Sequence, residues 1–181
     1  MRRWPLAPIA FLLVVQGMAA ATTVPTPPAE SLPGMQSRAR PLSSAVLVAE
    51  VVSHGSLRRV LDRGGYAAGS EREYFGRTPV FNHVTEQVLR FDSAAGASSY
   101  LRWLRAHAAE SLGAPRAVTS VALGQDGFAY RPRGCGCHSE TPTYLLAWRR
   151  GHDALTVLAS GPGATPKTTA AIARRLHRAT S

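Results

Sequence analysis

The chain has 181 residues, of which 21 are Lys or Arg, 11 are Asp or Glu and two are cysteines. That length suits one domain with one core. The formal charge of +10 admits an anionic partner, but no RNA- or DNA-binding motif accompanies it, which leaves nucleic acid out of the leading readings.

At the N-terminus Arg2 and Arg3 precede the short apolar run "LAPIAFLLVV", and Ala19 and Ala21 offer the small-x-small pattern that signal peptidase prefers. Residues 1–21 therefore read as a secretory signal peptide cleaved after Ala21. The run is about half of the roughly 20 residues a spanning helix needs. No cysteine lies near it, so a lipid-modified N-terminal cysteine is excluded. Without Arg2 and Arg3 the mature chain keeps 19 basic against 11 acidic residues. Residues 22–42, "TTVPTPPAESLPGMQSRARPL", are rich in proline and small polar residues and read as a disordered tether. Residues 43–181 are the globular domain.

Within that domain, "SSAVLVAEVV" reads either as a helix started by Ser43 or Ser44 or as a strand. "SLRRVLDRGG" predicts a short helix with Ser56 as N-cap and Gly64/Gly65 at its end. "SEREYFGR" mixes charge with Tyr74 and Phe75, read as a solvated face with aromatic edge packing, and residues 83–91 predict a strand. From Ser93 the period changes to 3.6, with Ala94, Ala97, Leu101, Leu104 and Ala108 on one stripe and Arg102 and Arg105 away from it. Tyr100 and Trp103 widen the apolar face and are assigned to the core; Gly113 and Pro115 end the helix.

"RAVTSVAL" and "FAYRP", joined by "GQDG", predict one antiparallel hairpin; "TYLLAWRR" and "DALTVLAS", joined by "GH", predict another with one face buried against helices. Lys167 to His177 predict a closing amphipathic helix with Thr169, Ile172, Ala173 and Leu176 on its stripe. The order implies an α+β domain with a mostly antiparallel sheet of about five strands and helices packed against it.

Three passages, "GSLRRVLDRGGYAAGSEREYFG", "LRFDSAAGASSYLRWL" and "AWRRGHDALTVLASG", resemble small exported proteins of high-GC Gram-positive bacteria. These in turn resemble sandwich domains of the PsbP/Mog1 type. The resemblance implies an antiparallel sheet carrying helices and no chemistry.

Both cysteines lie in "RPRGCGCHSE". In an exported chain, Cys135 and Cys137 are expected to form an intramolecular disulfide, which Gly136 permits by turning the chain. The alternative uses Cys135, Cys137 and His138 as metal ligands for zinc or cuprous copper, although the scattered remaining histidines nominate no fourth ligand. There is no GxSxG elbow, HExxH or phosphate loop, and His138-Ser139-Glu140 and Gly151-His152-Asp153 are sequence neighbours rather than a triad. Arg149 and Arg150 at the second hairpin are candidates for anion contacts. No cofactor is expected and no catalytic residue is nominated. The leading functional expectation is a secreted, non-catalytic domain that binds an anionic envelope component or another exported protein; the rival is a thiol-redox or metal-handling protein built on the cysteine loop.

Overall fold

The computed structural model describes residues 26–27, 32–112, 116–118, 123–131 and 141–180. In chain order these hold β1 (Gln36–Leu42), α1 (Ser44–Ala49), α2 (His54–Gly64), β2 (Tyr66–Phe75), β3 (His83–Phe91), α3 (Ala94–Leu112), β4 (Arg116–Val118), β5 (Gln125–Arg131), β6 (Thr143–Arg150), β7 (Asp153–Ser160) and α4 (Pro166–Ala179). One sheet runs β1-β2-β3-β7-β6-β5-β4, and every neighbouring pair is antiparallel. The class is α+β as expected. Its sheet is larger than the five strands anticipated: six strands of at least seven residues, plus the three-residue β4.

The extra strands come from polar sequence. β1 lies at the C-terminal end of the expected tether, where "QSRARPL" pairs along its length with β2. It is an edge strand, and its exposed arginines and Pro41 are what a solvated edge tolerates. β2 begins in "YAAGSEREYF", where alternation is hidden because Ser70 and Glu71 are buried beside Tyr74. The solvated reading of this stretch is therefore corrected: Tyr74 is fully buried and Glu71 is 3% exposed. "SSAVLVAEVV" resolves to a helix capped by the Ser43 hydroxyl, which accepts from the Val46 amide at 3.2 Å.

At α2 the N-cap position is Ser53 rather than Ser56, and Gly65 closes the helix at φ 66°. Gln125–Gly127, expected as a turn, belong to β5, where a register irregularity before Phe128 carries Asp126 at φ 57°. Gly113 and Pro115 lie outside the described residues. Thr165 and Thr168 form a reciprocal capping box at α4, with Pro166 in the first turn.

Helices cover both faces of the sheet, not one. Tyr144, Leu146 and Trp148 of β6 pack with α4 residues Ile172, Ala173 and Leu176. Their alternates Leu145 and Ala147 join Leu57 and Leu61 of α2 and Ala97, Tyr100 and Leu101 of α3. The period of two in the strand thus sends side chains into two cores.

The helices α2 and α3 touch through backbone. A Cβ on Gly96 would collide with the Gly64 carbonyl, whereas one on Gly55 would meet nothing within 4 Å. Gly96→Ala is expected to destabilise the fold by about 2 kcal/mol by forcing the helices apart. Gly55→Ala, in an open helical position, should instead stabilise by roughly 0.5 kcal/mol. Urea unfolding of the two variants checks both signs.

Candidate functional site

The close approach at Gly64 and Gly96 leaves a cleft of about 480 Å³ between α2 and α3, within the roughly 300–1,000 Å³ typical of ligand sites. Val60, Gly64, Ala95, Gly96 and Trp103 supply its apolar lining; Ser56, Ser93 and Ser99 supply hydroxyls; Arg59 and Arg63 supply charge. None of its lining residues is a carboxylate. Arg102 adds a third cation from α3, because its Nη2 donates to the Ser99 hydroxyl at 2.9 Å. The Ser56 and Ser99 hydroxyls already donate to the Ser53 and Ala95 carbonyls, and Arg59 Nε to the Gly55 carbonyl. What the carboxylate-free lining offers an anionic group is the remaining guanidinium N–H donors of Arg59 and Arg63.

Trp103 is part of the scaffold rather than a ligand platform. It is 7% exposed, stacks on Tyr100 at 6.3 Å and on His107 at 4.7 Å between ring centroids, and donates its indole N–H to the Ser56 hydroxyl at 2.9 Å. That last bond ties α3 to the start of α2 and fixes the cleft wall. Burial pushes the Tyr100 phenol strongly upward, so it stays protonated.

Beneath α4 lies a second polar group, centred on a buried carboxylate with a partly exposed arginine over it. Glu86 of β3 is fully buried, and its Oε1 accepts from Arg175 Nη2 at 2.6 Å while its Oε2 accepts from the Tyr74 hydroxyl at 3.1 Å. The same Arg175 nitrogen donates to the Tyr74 oxygen at 3.1 Å, and its guanidinium carbon lies 5.4 Å from the Tyr74 ring centroid. Burial pushes the Glu86 carboxyl up, and the guanidinium opposes that push. Burial, with the Glu86 carboxylate beside it, raises Tyr74 to about 12. The group locks α4 to β2 and β3.

On the opposite sheet face a chain of contacts crosses four strands. Arg40 bridges Glu50 and Glu71 at 2.6 and 2.7 Å, Gln87 donates to Glu71 at 2.6 Å, and Thr156 donates to Gln87 at 3.1 Å. Hydrogen bonds to Glu71 and Glu50 hold Arg40 charged. Nearby, His83 Nε2 lies 3.5 Å from the Thr85 hydroxyl and 3.8 Å from Glu73. Both contacts fall on one ring nitrogen, whereas a nucleophile relay uses both.

Of the residues nominated from sequence, Cys135, Cys137, His138, Ser139 and Glu140 lie outside the described residues. His152 is exposed in the β6–β7 turn, and Asp153 is buried with both oxygens held by Arg90, at 2.8 and 2.9 Å. Arg149 donates to Asp126 at 2.8 Å, to the Gly151 carbonyl at 2.9 Å and to Gln125. Arg150 donates to the His177 carbonyl at 2.5 Å. An anion at this hairpin would compete with those protein partners. Among the described residues, no three His, Cys, Asp or Glu side chains converge as a metal requires. The α2–α3 cleft was not anticipated; the arginines that mark it are Arg59 and Arg63, one helical turn apart on α2, with Arg102 off the apolar stripe of α3.

The fold has a solved counterpart. The crystal structure of the extracellular domain of PknH from Mycobacterium tuberculosis is similar, with a TM-score of 0.51 and 15% identity over 81% of this chain and 84% of that one. The likeness is one of fold. Its source is a high-GC Gram-positive bacterium, the group named by the sequence resemblance. No family model matches the chain, and no curated protein does. Among the described residues no helix is long and apolar enough to cross a membrane.

Arg175→Met strands the Glu86 carboxylate in the core and is expected to cost about 3 kcal/mol at neutral pH. Removing the cation raises the folded-state carboxyl further above its unfolded value, so stability is retained at low pH and lost as pH rises through the folded value. The deficit should therefore shrink on acidification, and Glu86→Gln/Arg175→Met should recover much of it. Chemical denaturation across the acid range measures all three.

Proposed function

We propose that this chain is an exported, non-catalytic binding domain whose α2–α3 cleft receives an anionic group of an envelope component or of another exported protein. The observation that carries the reading is the cleft itself: two arginines in the lining, a third arginine held at the rim through Ser99, and no carboxylate. Residues 1–21 supply the export signal in this reading, and residues 22–35 lead from it to β1. Kinship with PsbP/Mog1-type sandwiches belongs to the same proposal and is supported by a sheet with helices on both faces.

Inorganic polyphosphate is a suitable soluble probe. The mature protein should bind it with an affinity that falls as ionic strength rises, while neutral dextran should not bind. Arg59→Gln/Arg63→Gln should weaken binding at least tenfold, since each charge-assisted hydrogen bond contributes about 1.5 kcal/mol or more. Calorimetric titration giving equal affinity for the variant and the parent would remove the cleft from the proposal.

The cysteine loop enters the proposal as a local disulfide between Cys135 and Cys137. Its small closed loop gives little chain-entropy stabilisation, so it would shape residues 131–140 without holding the domain together. Thiol titration of the denatured mature protein should find no free sulfhydryl. Two reactive thiols would overturn the disulfide, and stoichiometric zinc or copper by elemental analysis would favour the metal alternative with His138.

A further inference from the structure

We propose that the outer face of the α2–α3 layer docks on an anionic phospholipid bilayer, with the cleft seated over lipid phosphate. This deepens the preceding reading and rests on it. Arg58, Arg59 and Arg63 of α2 and Arg102 and Arg105 of α3 are all exposed, and none is in an ion pair among the described residues. Arginines elsewhere divide: Arg38, Arg40, Arg90, Arg149 and Arg175 each hold a carboxylate at 2.5–2.8 Å. Arg72 and Arg150 donate to uncharged oxygens, and Arg174 and Arg178 of α4 are, like the α2–α3 set, exposed without an ion pair among the described residues. The acids of the two helices are few, with Asp62 on α2 and Glu110 near the far end of α3; Asp126 of β5 shares a groove with Arg102 and Arg105 and is already engaged by Ser98 and Arg149.

The Gly64–Gly96 contact holds these cations on one helical layer, so they meet an extended anionic surface together. Guanidinium groups suit phosphate because they pair with it bidentately and shed water more readily than ammonium groups. The turn entering α2 adds an apolar element, for Val52 is 77% exposed. A bilayer interface accommodates an apolar side chain beside cations, and the commitment to lipid rests on that pairing of charge with Val52.

The rival surface is α4, where Lys167, Arg174 and Arg178 are exposed and the helix carries no acid. No second helix packs beside it to make a layer among the described residues. It serves as the internal control.

The experiment is co-sedimentation of the mature protein with vesicles of phosphatidylglycerol or of phosphatidylcholine. Binding to phosphatidylglycerol alone is expected, weakening with salt. Each arginine near an anionic surface changes partitioning about fivefold, so Arg58→Gln/Arg102→Gln/Arg105→Gln should lower it roughly a hundredfold. All three are exposed, Arg58 and Arg105 away from the α2–α3 cleft and Arg102 at its rim, and an unchanged melting temperature establishes that the variant folds. Arg174→Gln/Arg178→Gln should bind like the parent, and Val52→Ser should weaken binding at high salt. Equal binding to both lipids, parental binding by the triple variant, or an equal loss from the α4 variant would overturn the docking face. Polyphosphate binding without vesicle binding would overturn lipid docking while leaving the cleft reading intact; absence of both would overturn the two together.

Discussion

Both halves of the chain depend on one antiparallel seam, β3 against β7. It pairs His83 with Ser160 at one end and Arg90 with Asp153 at the other. On one side lie β1 and β2, and on the other β6, β5 and β4. The seam is buried on both faces: Val84, Val88, Leu155 and Val157 look toward α4, while Leu89 and Ala154 look toward α2 and α3. A register slip of one residue would exchange those two sets and carry buried Glu86 into the wrong core. The bidentate Arg90–Asp153 pair at the seam's end opposes such a slip, and its position beside the β6–β7 turn ties it to that hairpin.

From this seam the two helical layers acquire different tasks. The α4 side is closed by a small stripe of Ala170, Ile172, Ala173 and Leu176 together with the Glu86–Arg175 pair, so its polar chemistry is spent on holding the helix down. A buried pair of this kind contributes orientation more than net stability. The α2–α3 side is held by apolar side chains and by a glycine contact, which leaves the polar side chains of that layer facing outward. The cleft exists because the helices meet backbone to backbone at one end while bulkier residues, among them Val60 and Trp103, keep them apart beyond it.

The sequence was legible where one physical signal dominated. β3, β6 and β7 occupy the expected residues because β-branched and aromatic runs are bounded there by turn residues, with Gly151 at φ 55° in the β6–β7 turn. The stripes of α3 and α4 are buried much as their 3.6-residue period requires. β1 and β2 were hidden because their stability comes from partners far away in the chain. Arg38 meets Glu73, Arg40 meets Glu71, and Tyr74 meets Glu86, so the burial of each polar residue depends on contacts that no local window contains. Coverage of the second sheet face was equally hidden, since β6 is apolar without interruption from Tyr144 to Trp148 and alternation cannot then say that only one side is buried. The cleft depended on a Gly–Gly approach across some thirty residues, and a glycine in a helical pattern does not announce its neighbour.

Arginine usage makes a further distinction that composition alone conceals. A sequence with one lysine and many arginines can reflect nothing more than codon bias, which sets how many cations there are. It does not decide which of them have acids. Arg38, Arg40, Arg90 and Arg149 on the strands and Arg175 on the inner side of α4 face Glu73, Glu71, Asp153, Asp126 and Glu86, and each pair joins two elements of the fold. Those on α2 and α3 join nothing in the fold by ion pairing among the described residues, and like charges gathered on one layer repel one another. Within the fold Asp126 offsets part of that repulsion beside Arg102 and Arg105, and a partner outside the chain is the natural place for the rest of its compensation.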